Sequence, residues 1–450
     1  MKDTANASPA WDELHRRHVA ELQQRAERAL SLSGHEALLI ASGVEKYGFL
    51  DDRPYLFQPN PHFKAWAPLC AHPDSWLLVR PGHKPLLVYY QPDDYWHVPP
   101  APPTGFWVEQ FELRIISAPE QALQHLPASA QGLAIVGEAD AALQHLVPNN
   151  PQPLLDSLHW QRAVKTDYEL QSLRQASRLA ARAHLAAREA FLGGGSEAEI
   201  HRAYLVASGH TDRDLPYGNI VGINEHAAVL HYQYQDSTRP TQPRSLLVDA
   251  GAQVHGYASD ITRTWSFGGA QAEAFEALLA AMEQAQLALV DEVRAGCDYR
   301  DIHLSTHRHI ARILREQGLV RMSEEAMLAQ QVTSAFFPHG IGHLLGLQVH
   351  DAGGFLASEQ GGTRDKPAGH RYLRLTRDLL PGMCVTIEPG LYFIPTLLRQ
   401  LRASSAGAAV DWARVEQLLP FGGIRIEDDV VCRAQGAPEN LSRDAFAALG

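Results

Sequence analysis

The residues best able to do chemistry lie in the second half of the chain. Ser245-Leu246-Leu247-Val248-Asp249 is an apolar run ending in an acid, and Gly256-Tyr257-Ala258-Ser259-Asp260 brings a second acid after a glycine-containing turn. The pattern reads as a hairpin whose two strands each carry one carboxylate to the same place. An aspartate ending such a run is costly to bury unless it is paired or bound to a cation. For these residues alone, a turn Asp beside an exposed Asp is the plainer alternative. Three histidines follow, His339, His343 and His350, in a stretch rich in glycine and apolar residues. Imidazole is both a common metal ligand and a proton carrier, and glycine lets the backbone approach a ligand closely. Glu388 and Glu427 sit within or at the end of β-branched runs. Strand alternation puts Ile424, Ile426 and Asp428 on one face, and Arg425, Glu427 and Asp429 on the other. A solvated ion pair with Arg425 is the alternative use of Glu427.

Asp249, Asp260, Glu388, Glu427 and one imidazole make an oxygen-rich donor set. Two divalent cations carry about +4 of charge, which four carboxylates balance. Such a set suits manganese or another hard divalent ion better than a thiolate-selecting metal. Two ions roughly 3.5–4 Å apart can activate a water between them and clamp a developing oxyanion. The chemistry that follows is hydrolysis of a peptide-like bond.

The elements that must position these residues are legible in outline. The chain has 450 residues, 45% of them hydrophobic, which is too many for one ordinary core. Leu14, His18, Leu22, Ala26 and Ala29 recur at helical spacing within 11–32. Short apolar runs at 37–40, 75–79, 85–90 and 132–137, with a helical pattern at 119–126, suggest a small α/β domain. The turn-rich stretch 147–153 breaks the pattern, and the longest helical pattern, 166–192, follows and stops at Gly193-Gly194-Gly195. We place the boundary near 160, giving an α/β domain over 1–160 and a domain over 161–450 that holds every ligand candidate. A net charge of −12 argues against nucleic-acid or anionic-membrane partners. Cys70, Cys297, Cys384 and Cys432 have no paired spacing, so buried free thiols in a reducing compartment are expected. The polar start of the chain shows no signal-peptide pattern, and no uncharged apolar run is long enough to span a membrane. The expected location is the cytoplasm.

At these residues the sequence resembles the metallopeptidase family that contains prolidase, aminopeptidase P and methionine aminopeptidase. The blocks Val248-Asp249-Ala250-Gly251, Asp260-Ile261-Thr262-Arg263-Thr264, His339-Gly340-Ile341-Gly342-His343, Glu388-Pro389-Gly390 and Arg425-Ile426-Glu427-Asp428 stand in that family's order. Phe49-Leu50-Asp51-Asp52, 60–66, 93–97 and the insert between Pro395 and Pro420 extend the resemblance to its bacterial prolidase branch. It implies a creatinase-like α/β N-terminal domain, then a pita-bread catalytic domain with a curved antiparallel sheet.

It further implies Asp249 on one metal, Asp260 and Glu427 as bridges, and His343 as the imidazole ligand. Glu388 would be a ligand that also handles the proton of the attacking water. His231 and His350 would be catalytic histidines, with His339 beside them. Arg374 would hold the substrate's C-terminal carboxylate, and Arg425 and Tyr217 would also face substrate. The implied activity is hydrolysis of Xaa-Pro dipeptides with two divalent ions, manganese expected, by a homodimer. Organophosphate triester hydrolysis is implied at most as a side activity. Removal of an N-terminal residue before proline, or a binding module on the same fold, are the alternatives.

Overall fold

The structure, a computed structural model, describes residues 11–269 and 272–449. Residues 1–10, the polar start of the chain, lie outside the described residues. Contacts divide the chain into two units, one of Met1–Gln171 with Leu356–Gly362, the other of Ser172–Phe355 with Thr363–Gly450. By contacts the division falls after Gln171, and a short hairpin segment from late in the chain counts with the first unit.

The first unit is built on a mixed sheet in the order Glu112–Ile116, Leu86–Tyr90, Trp76–Val79, Ala37–Ala41, Leu133–Val136. Its inner strands are apolar throughout because both faces are covered. Leu38, Ile40, Leu77 and Val79 face a core that includes Ala26 and Leu30 of the helix Trp11–Ser33. Leu39, Leu78 and Ile135 face a second core with Ala122 and Leu126. The edge strand Glu112–Ile116 escapes sequence reading because only Ile116 is buried in it. The turn-rich stretch 147–153 runs straight into a helix, Gln152–Arg162, whose first turn takes a proline.

In the second unit Ile220–Ile223, Ser245–Ala250 and Ile261–Ser266 form an antiparallel sheet. Cys384–Ile387 pairs antiparallel with Asp428–Val431, and Gly390–Tyr392 with Gly423–Arg425. Helices Asp167–Leu192 and Glu197–Ser208 contribute Ala183, Ala187, Ile200 and Tyr204 to a core with the first sheet. Helices Glu273–Asp291 and Tyr299–Glu316 pack Phe275, Met282, Ile310 and Leu314 with Leu391, Ile424 and Ile426. The expected hairpin differs in detail. A small ladder, Gln253–Val254 with Tyr257–Ala258, intervenes, and Asp260 stands just ahead of its strand rather than in it. All four cysteines are free, and no helix among the described residues is long and apolar enough to cross a membrane.

Candidate active site

Strand register gathers the expected ligands. Asp249 lies opposite Thr262, and Thr262 bridges Glu427. Extending the pairing of Ile387 with Asp428 by one step sets Glu388 opposite Glu427. On the far side Leu344 bridges Val385, while Thr386 N–H donates to His343 O and Glu388 N–H to Ile341 O. Laterally paired residues project from the same face of a sheet, so segments far apart in sequence supply one row of side chains. Asp260 enters from the adjoining loop, where the Asp429 carboxylate accepts its backbone N–H at 3.2 Å.

The histidine is aimed by its backbone. Gly342 has φ +153°, and a Cβ there would stand 2.3 Å from Thr386 O and from Tyr299 Oη. Only glycine permits that approach, and it lets the next residue, His343, donate its N–H to Thr386 Oγ1 at 3.1 Å. His343 Nδ1 donates to Leu344 O at 3.0 Å, because a carbonyl can only accept. Its Nε2 therefore points at Asp260 Oδ2 (3.4 Å) and Glu388 Oε1 (3.8 Å). Ligand atoms of Asp260, His343 and Glu427, all buried, lie within 4.8 Å of one another.

The electrostatics show what the row calls for. Burial pushes the carboxyls of Asp249, Glu388 and Glu427 up, Glu388 to about 7, and the crowding of negative charge adds to this. Burial also works to raise Asp260, but the hydrogen bond and charge of His343 outweigh it and hold Asp260 low. His343 in turn is raised, the pull of Asp260 overcoming the cost of burying its cation. Acids crowded in this way are stabilised by positive charge, and the donor set of oxygens with one oriented imidazole fits hard divalent ions.

The remaining expected residues divide into two groups. Tyr217 and Arg425, expected at the substrate, contact the acids. The Tyr217 hydroxyl is 2.8 Å from Asp249 Oδ1 and 2.5 Å from Asp260 Oδ1. Arg425 is 4% exposed and donates to Thr262 Oγ1, Tyr392 Oη and Asp249 Oδ2 at 3.1, 2.8 and 2.6 Å. Its ion pair is thus with Asp249, not with Glu427, whose Oε2 accepts from Thr262 Oγ1 at 2.7 Å.

The histidines and Arg374 lie toward solvent or beside the row. The His350 ring is 4.3 Å from that of His343, and burial lowers it to about 4, helped by the charges of His343 and Arg374. His339 Nε2 meets Tyr392 Oη at 2.9 Å, and burial, then Arg425, lowers it to about 3. His231 is exposed and acts electrostatically on both rings. Arg374 is exposed, and among the described residues no acid pairs with it; Asp378 is held by Arg364 instead. Thr262 and Tyr392 also orient the row and escape sequence reading, because a Thr or Tyr on a strand carries no spacing signal of its own; Asp429, on the face of Glu427, holds the Asp260 backbone.

Comparison with known proteins shows the family. Residues 13–160 match the N-terminal domain of Xaa-Pro dipeptidases, and residues 171–434 match metallopeptidase family M24. The chain belongs to metallopeptidase family M24. Among relatives of similar length, a protein of Xanthomonas axonopodis pv. citri named Xaa-Pro dipeptidase is 52% identical over 441 residues, 98% of this chain and 99% of that one. A Stenotrophomonas maltophilia protein of the same name is 50% identical, covering 97% of this chain and 98% of its own. Two solved structures share the M24 fold: an aminopeptidase of Pseudomonas aeruginosa (TM-score 0.72, 23% identity, 96% and 98% covered) and zinc-substituted E. coli aminopeptidase P with product (TM-score 0.71, 23%, 99% and 100%).

Proposed function

We propose that this M24 metallopeptidase cleaves Xaa-Pro dipeptides. The observation that carries the reading is the single row of Asp249, Glu427, Glu388 and His343, joined by Asp260, in a chain half identical over nearly its full length to proteins named Xaa-Pro dipeptidase. Asp249, Asp260, His343, Glu388 and Glu427 would hold two divalent ions, manganese by the hardness of the donor set. When bound, such ions supply an acidified water and charge stabilisation for the oxyanion.

The side chains supply the rest. A prolyl amide has no N–H to grip, so its carbonyl and its termini must be held instead. His231 and His350 flank the carbonyl. Arg374, exposed and unclaimed by any described acid, receives the terminal carboxylate as a charge-assisted pair. Glu388 takes the proton of the attacking water and delivers it to the prolyl nitrogen as the bond breaks. Arg425 and Tyr217 position Asp249 and Asp260.

The test is a substrate panel after chelation and reloading with manganese, zinc or cobalt. Ala-Pro should be cleaved fastest with manganese, and longer Ala-Pro-Pro peptides poorly. Faster release of the first residue from the longer peptides would assign an aminopeptidase P activity and overturn the dipeptidase reading.

A further inference from the structure

Apart from the carboxylate row, the second unit holds a compact group of three imidazoles. His303 and His307 lie one turn apart on the helix Tyr299–Glu316, on the same face, and His370 comes from the segment that leads to Arg374. Their ring centroids are 4.9, 4.7 and 4.6 Å apart, and one nitrogen from each lies within 4.8 Å of the other two. His303 and His307 are 2% and 3% exposed. The Phe337 ring, 5.1 Å from His307 and 4.6 Å from His339, stands between this group and the active-site histidine.

Hydrogen bonding leaves the group unfinished. His303 Nε2 and His370 Nδ1 share a contact of 2.9 Å, and His307 Nδ1 meets Thr333 Oγ1 at 2.9 Å, which fixes that ring. His303 Nδ1 is buried without a hydrogen-bond partner among the described residues. Burial, then the neighbouring imidazoles, lowers His303 to about 2 and His307 to about 3, so both keep a lone pair at neutral pH. Packing three histidines together with a nitrogen unmet is a poor way to build a core, but it is how a three-imidazole cation site is built.

We propose that His303, His307 and His370 form a separate cation site for a borderline divalent ion such as Zn2+. Two nitrogens on a tetrahedral zinc lie roughly 3.3–3.4 Å apart, from Zn–N bonds of about 2.0–2.1 Å. The observed spacing reaches this by small side-chain rotations. Neutral nitrogen donors, with no carboxylate among them, select zinc, cobalt or nickel over manganese, magnesium or calcium. The carboxylate row has the opposite preference, so the two sites sort ions by hardness. Leu373 N–H donates to His370 O at 3.2 Å, so an ion on His370 fastens the segment carrying Arg374 to the helix. Zinc then bears on substrate binding from outside the reacting centre.

The test is equilibrium dialysis of the full chain against Zn2+, with bound metal counted per chain. Wild type should retain one more Zn2+ than His370→Ala, whose helix histidines are untouched. His307→Gln, similar in size, should lose the same ion, and circular dichroism should show that both variants fold. Each substitution should weaken the extra ion by at least about tenfold, since even outer-shell changes cost that much. A Glu388→Gln/Glu427→Gln protein should still bind it, so a failure of the carboxylate row leaves this result intact. Equal zinc content in wild type and both variants, or zinc lost only when the row is altered, overturns the proposal.

Discussion

At the scale of single residues, Thr262 links the row. Its hydroxyl donates to Glu427 Oε2 and accepts from Arg425 Nε. Thr262→Val keeps the shape and strands both partners in a buried setting. The variant should stay folded but lose about 10–100-fold in metal affinity or turnover, measured by manganese titration and Ala-Pro kinetics. Arg374 gives a second prediction at this scale. Losing a charge-assisted pair should cost roughly 1.5–3 kcal/mol, or about tenfold to a hundredfold in specificity constant. Arg374→Ala should therefore erase the preference for Ala-Pro over its C-terminal amide. An unchanged acid-to-amide ratio would show that the arginine does not grip the carboxylate.

At the scale of elements, the site depends on how strands and the His339–His343 stretch abut. Gly342 is where they come closest. Gly342→Ala places a methyl against Thr386 O and Tyr299 Oη at a positive φ. Strain and overpacking together should remove at least about 2 kcal/mol of stability, read as a lower urea midpoint. The variant should also misaim His343. A midpoint within error of wild type would mean that the segment moves aside freely.

For the whole molecule, buried acids and stability are linked. The row gathers four buried carboxyls, three of them pushed up by burial and by one another's charge, so cations that bind the folded chain should stabilise it. Ions that bind only the folded chain add about 2.7 kcal/mol at a hundredfold excess over Kd. Chelation should lower the melting temperature, and manganese should restore it. A melting curve that ignores EDTA and manganese would argue against a structural share for these ions.

By itself, the sequence determined which residues could be ligands and most of the elements. Apolar runs ending in Asp249 and Glu388 are local patterns, and the helix Trp11–Ser33 follows from periodicity that survives translation along the chain. Only the tertiary structure decided who meets whom. Arg425 goes to Asp249 rather than Glu427, Tyr217 reaches both Asp249 and Asp260, and Asp260 reaches the row from a loop. The edge strand Glu112–Ile116 buries only Ile116 and so lacks an alternating apolar face to advertise itself, and the hairpin 356–362 gives no local sign of which unit it joins. His303, His307 and His370 become neighbours only when a loop returns to a helix 67 residues away. Such pairings depend on strand register and chain return, which are set by packing over the whole unit and leave no trace in local spacing.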